Sequence, residues 1–101
     1  MPVKSIITTA EDVFFGGSDL TSLSFKNGSA AGILYIRNKQ QTGEEVTSTN
    51  YEISLRPSEA FGVTLVNDGD GIIGPWRAIS DTVGGVNLEI LPIYLKGKRL
   101  R

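Results

Sequence analysis

Turn-forming residues punctuate this chain at short, regular intervals, and that spacing limits its possible folds more than any other feature. Twelve glycines and four prolines separate runs rich in Val, Ile, Thr, Tyr and Phe, side chains that suit a pleated, half-buried surface. In Tyr51-Glu52-Ile53-Ser54-Leu55 the residues alternate, with Tyr51, Ile53 and Leu55 on one face and Glu52 and Ser54 on the other. Val63-Thr64-Leu65 and Val86-Asn87-Leu88-Glu89-Ile90 alternate in the same way. Gly32-Ile33-Leu34-Tyr35-Ile36 is apolar on both faces, which predicts a central strand covered on each side by a second sheet or a neighbouring subunit. No window of useful length carries a helical period.

The turn signals recur at roughly the 8–12-residue spacing of all-β sandwiches and barrels. Short strands are predicted near Val3–Thr9, Asp12–Phe15, Leu20–Phe25, Ile33–Asn38, Tyr51–Leu55, Ala60–Val66, Trp76–Ser80 and Val86–Leu95. Asn27-Gly28 readily takes the positive φ angles of a tight hairpin, which pairs Leu20–Phe25 with Ile33–Asn38 across it. Thr42–Glu45 and Arg56–Glu59 read as polar turns, and Pro57 presets φ for the second. The expected fold is an all-β antiparallel sandwich, jelly-roll-like or immunoglobulin-like. It forms a single domain over residues 1–101, with an extended arm at 1–10 and a basic tail at 96–101.

The segment Asn67-Asp68-Gly69-Asp70-Gly71-Ile72-Ile73-Gly74 raises the question of a calcium loop. Such a loop needs oxygen ligands at positions 1, 3 and 5, glycine at 6 and glutamate at 12. A start at Asp68 puts Ile72 and Ile73 at positions 5 and 6, and a start at Val66 leaves position 1 apolar and puts Arg77 at position 12. Neither register works, so the segment reads as a hairpin loop between Ala60–Val66 and Trp76–Ser80, and no metal is expected.

The inventory of reactive side chains is thin. The chain has no cysteine and no histidine, which removes thiolate chemistry, the most versatile proton carrier near neutral pH and the commonest metal ligand. The five lysines, Lys4, Lys26, Lys39, Lys96 and Lys98, sit in polar or terminal contexts where they stay protonated. Glu11-Asp12 and Glu44-Glu45 are adjacent pairs, which a strand points to opposite faces. Gly16-Gly17 and Gly84-Gly85 are too short to cradle a phosphate. The expectation is a protein that is not an enzyme and has no cofactor. Ten basic against eleven acidic residues give a formal charge of -1, so neither nucleic acid nor an anionic membrane is an expected partner. The opening residues lack a signal peptide's apolar run, and no stretch approaches the roughly 20 apolar residues of a membrane helix. Trp76 reads as a core residue in preference to a sugar-stacking platform, and Tyr35, Tyr51 and Tyr94 have the same two readings.

Taken in order, GILYIRN (32–38), ISLRPSEAFGVTL (53–65), GPWRAIS (74–80) and VNLEILP (86–92) resemble a series found in small β-sandwich virion proteins of tailed bacteriophages. There, a strand ending in Arg-Asn precedes a Leu-x-Pro-Gly-Glu-like turn, a Gly-Pro-aromatic strand with Ala-Ile, and a last strand of alternating aliphatics. Ser58 stands where that turn commonly has glycine. The resemblance implies a capsid decoration, or cement, protein on the virion surface. Its expected partners are further copies of itself, as a homotrimer, and the major capsid protein, clamped through terminal arms. On this chain the arm offers Ile6 and Ile7 for strand addition, and the tail offers Lys96, Lys98, Arg99 and Arg101 to an acidic capsid surface. The alternative is a carbohydrate- or receptor-binding module of a tail fibre or spike, working through an exposed aromatic.

Overall fold

The computed structural model describes residues 3–17, 20–39, 43–64 and 72–94. They form eight strands: β1 (Val3–Ile6), β2 (Glu11–Gly17), β3 (Leu20–Asn27), β4 (Leu34–Asn38), β5 (Ile53–Leu55), β6 (Ala60–Thr64), β7 (Ile72–Ser80) and β8 (Val86–Tyr94). They build two four-stranded antiparallel sheets, the first ordered β1-β8-β3-β6 and the second β2-β7-β4-β5. The strands also pair as though the chain were folded in half, β1 with β8, β2 with β7, β3 with β6 and β4 with β5. Wrapping such a doubled chain into two facing sheets gives a jelly roll. Among the described residues there is no helical segment long and apolar enough to cross a membrane.

Burial follows the two-residue period of a strand. Leu34, Ile36 and Asn38 of β4 point inward and are buried, while Tyr35 and Arg37 between them are partly exposed. Trp76, Ala78 and Ser80 of β7 and Val86, Leu88 and Ile90 of β8 do the same from both sides. The core closes on Phe25 and Trp76, whose ring centroids lie 5.4 Å apart at 56°. This settles Trp76 as a core residue. Its indole Nε1 is buried and has no hydrogen-bond partner among the described residues.

Each of the eight predicted strands overlaps an observed one, though β1 ends at Ile6, short of Thr9, and β7 begins at Ile72, before Trp76. The predicted ends Val66 and Leu95 lie outside the described residues. Two predicted pairings are corrected. Leu20–Phe25 and Ile33–Asn38 do not form a hairpin: β3 lies between β8 and β6, and β4 lies in the other sheet. Asn27 is instead a fully buried clamp between the sheets. Its Nδ2 donates to the carbonyls of Gly32 and Leu55, both at 3.0 Å, and its Oδ1 accepts from the Ser29 N–H at 2.9 Å. The second correction concerns Ala60–Val66 and Trp76–Ser80. β6 and β7 sit in different sheets, so they are not the arms of a hairpin, and Ile72, Ile73 and Gly74 belong to β7 itself. Asp68 and Asp70 lie outside the described residues.

The arm at residues 1–10 is also corrected. Val3–Ile6 pairs in register with Glu89–Val86 as an edge strand, and Ile6 is completely buried in the core. In the turn at 56–59, Ser58 adopts φ 71°, a left-handed conformation that favours glycine. The Ser58 N–H donates to the Asn27 carbonyl at 3.0 Å, which holds the turn against the clamp.

Candidate functional site

The inward faces are consumed by the core, so any site lies on an outer face, an edge or a loop. On the outer face of the second sheet, Arg37 and Arg77 are directly opposite each other on β4 and β7. Like charges so placed repel, and the chain answers with the loop after β4. Glu45 takes Arg77 through two bonds, Nε to Oε1 at 2.9 Å and Nη2 to Oε2 at 2.6 Å. Asp12 of β2 accepts from Nη1 at 2.8 Å, and Glu44 accepts from Arg37 Nη2 at 3.0 Å. The hydrogen bonds from Arg77, opposed by some desolvation, hold the Glu45 carboxyl below its usual range, and Glu45 and Asp12 together raise the Arg77 guanidinium.

Tyr35 on the same face packs its ring 5.0 Å from that of Tyr51, at 46°. Part of the outer side of Ile33–Ile36 is thus packed by the chain's own Tyr51. Tyr51 stays partly exposed. Nearby, Asn50 Nδ2 lies 3.4 Å from Glu44 Oε1. Asp81, at the end of β7, is held low chiefly by the Ile33 N–H at 2.9 Å and next by the Thr82 hydroxyl at 2.8 Å, against a small desolvation cost. Each of these charged groups already serves a partner within the fold.

The outer face of the first sheet is different. Its central positions are small: Ser22 and Ser24 on β3, with Ala60 and Gly62 opposite Lys26 and Ser24 on β6. Along β8 beside them, Leu91 and Ile93 stand exposed, opposite Ser24 and Ser22. Val3 of β1, paired with Glu89, is also exposed. The small floor beside Leu91 leaves a shallow hollow of about 150 Å³ over Ser24 and Ala60, bounded at one end by Lys26 and Glu89. The hollow's accessible lining is apolar, with the polar side chains of Ser24, Lys26 and Glu89 around it. Among the described residues no group of three His, Cys, Asp or Glu side chains converges as a metal site.

The expected partner-binding residues do not come together here. Ile6 is buried, so its side chain belongs to the fold. Ile7 is 44% exposed, in the connection after β1, where its carbonyl accepts from the Ser80 N–H at 2.9 Å. Lys96, Lys98, Arg99 and Arg101 lie outside the described residues. The sequence carries one local signal for Leu91 and Ile93. After Val86, Leu88 and Ile90, an apolar residue at 91 and another at 93 break the alternation of β8 and mark a strand apolar on both sides. No protein-family model, no curated protein and no solved structure matches the chain.

Proposed function

We propose that this jelly roll is a non-enzymatic structural protein that binds across neighbouring subunits of a larger assembly, the capsid of a tailed phage, and stabilises it by burying surface. The observation that carries the reading is the outer face of the first sheet, where Leu91 and Ile93 of β8 are exposed on one side of a floor of small residues, with Val3 exposed on β1 beyond them. Adjacent exposed aliphatic groups rimmed by polar ones suit a protein–protein contact when they form a contiguous patch. The capsid as partner rests on the sequence resemblance. Jelly rolls also recur in viral capsid and lectin domains, an analogy of fold that by itself assigns no activity.

Quantitative mass spectrometry of virions from the genome that encodes the chain tests the reading. Capsid-scale copy number supports decoration, a few copies per particle point to the tail, and none overturns the virion assignment. The carbohydrate-binding alternative is favoured by Tyr51, which is partly exposed beside the Arg37–Glu44–Asn50 cluster. Glycan-array binding lost in Tyr51→Ala supports that alternative, and no glycan binding at all removes it.

A further inference from the structure

A sheet edge offers unpaired N–H and C=O groups to any extended chain, and folded proteins usually blunt it by charge, bulges, proline or brevity. Three of the four edges here are blunted. β1 is four residues long and carries Lys4. β2 has two register shifts against β7 and begins with Glu11 and Asp12. β5 is three residues long. β6 has none of these features. Ala60-Phe61-Gly62-Val63-Thr64 is uncharged, keeps an unbroken register with β3, and leaves Phe61 half exposed.

The ladder also shows which groups of β6 point away from β3. The Asn27 N–H donates to the Glu59 carbonyl at 2.9 Å, which makes residues 27 and 59 a hydrogen-bonded pair. Antiparallel pairs alternate between bonded and non-bonded, so in the same register Phe61 and Val63 bond to β3. Ala60, Gly62 and Thr64 direct their N–H and C=O groups outward, and no described residue pairs with them.

We infer that β6 is a self-pairing edge: two copies of this chain join antiparallel through it, related by a two-fold axis at Gly62, and merge their first sheets into one. In that register Gly62 bonds to Gly62 of the partner subunit, and Ala60 bonds to Thr64 of the partner subunit, so every outward group meets a complementary one. Phe61 and Val63 of the partner subunit then form a non-bonded pair on the core side, where the side chains lie closest, and this covers the exposed part of Phe61. Charge favours a second copy as the occupant. Self-pairing of β1 sets Lys4 near Lys4 and that of β2 sets carboxylates near carboxylates, whereas β6 brings no like charges together. The association is isologous and closed, a pair instead of the trimer that the resemblance implies. It does not depend on the capsid reading, since it concerns the isolated chain.

The test combines native mass spectrometry of the full chain with amide hydrogen exchange at low and high protein concentration. The expected result is a dimer in which the amides of Gly62 and Thr64 exchange on the order of tenfold more slowly at high concentration. Two variants bear on the same edge. Gly62→Pro removes an outward donor at an edge position that tolerates proline. Gly62→Lys sets two charges together on the axis, and a Cβ at Gly62 meets only the Ser24 Oγ, at 3.6 Å. Both are expected to be monomeric with the wild-type circular dichroism spectrum. A wild-type monomer at every concentration overturns the inference. So does an oligomer whose Gly62 and Thr64 amides exchange independently of concentration, or one that persists in both variants.

Discussion

The central strands of the two outer faces share one geometry and treat their side chains differently, although each sheet also exposes a large apolar group nearer its edge, Phe15 on β2 and Val3 on β1. On the β2-β7-β4-β5 sheet, two arginines forced side by side are each met by a carboxylate from the chain itself, and the tyrosine next to them is packed by a second tyrosine. On the β1-β8-β3-β6 sheet, Leu91 and Ile93 stand partly exposed beside serine, alanine and glycine. Substitution on the first of these faces should therefore change stability, and substitution on the second should change association. A protein of 101 residues buries a modest core, so an apolar face left open is a place where a partner adds stability.

The largest expected effect probes whether β1 completes the open face or hangs free as an arm. Deleting residues 1–10 removes Ile6 from the core and bares the edge of β8. The loss is expected to be at least about 3 kcal/mol, in the range for emptying a buried aliphatic site, and thermal melting reads it. A shortened chain with unchanged melting restores the free arm.

Next is the clamp that holds the two faces together. Asn27→Ala leaves the carbonyls of Gly32 and Leu55 and the Ser29 N–H without their partner. At about 1–3 kcal/mol for each buried group left unmade, with partial rescue by water, a net cost of about 2–4 kcal/mol is expected in urea unfolding.

The self-satisfied face comes third. Arg77→Leu is expected to cost about 1 kcal/mol, since its partners are substantially exposed, or about 4–8 °C in melting temperature. The acid limb of stability sharpens this. Glu45 and Asp81 have folded pKa values below their ordinary 4.5 and 3.8. Their contribution is therefore complete above those ordinary values and is lost as pH falls through the lowered folded ones. Melting followed from about pH 6 to pH 3 should fall less steeply in Arg77→Leu than in the wild type, because Glu45 then returns toward its ordinary value.

The smallest effect on stability belongs to the open face. Leu91→Asn with Ile93→Asn should change unfolding free energy by no more than about 0.5 kcal/mol, as for other surface changes. A larger loss would mean that these side chains belong to the fold.

The sequence revealed strand positions because alternation and turn residues are local signals, as at Ile53–Leu55 and Val86–Ile90. It did not reveal which strands pair. In a jelly roll β3 meets β6 and β8 across long separations, and nothing local at Asn27-Gly28 separates a hairpin turn from a buried clamp. The candidate site was missed for a related reason. Terminal isoleucines and lysines attract attention as free ends, whereas Leu91 and Ile93 become a surface only when Ser22, Ser24, Ala60 and Gly62 are brought beside them from other strands. The Arg37–Arg77 pair was equally hidden, since cross-strand register placed it.

The central claim is that the open face of the first sheet is the surface that works. The most direct test is incorporation into virions of the Leu91→Asn, Ile93→Asn chain, counted by quantitative mass spectrometry against the wild type, with melting measured on the same preparations. The account predicts capsid-scale copies of the wild type and a severe loss of copies of the variant, with melting unchanged. Equal copy numbers for the two chains would contradict it.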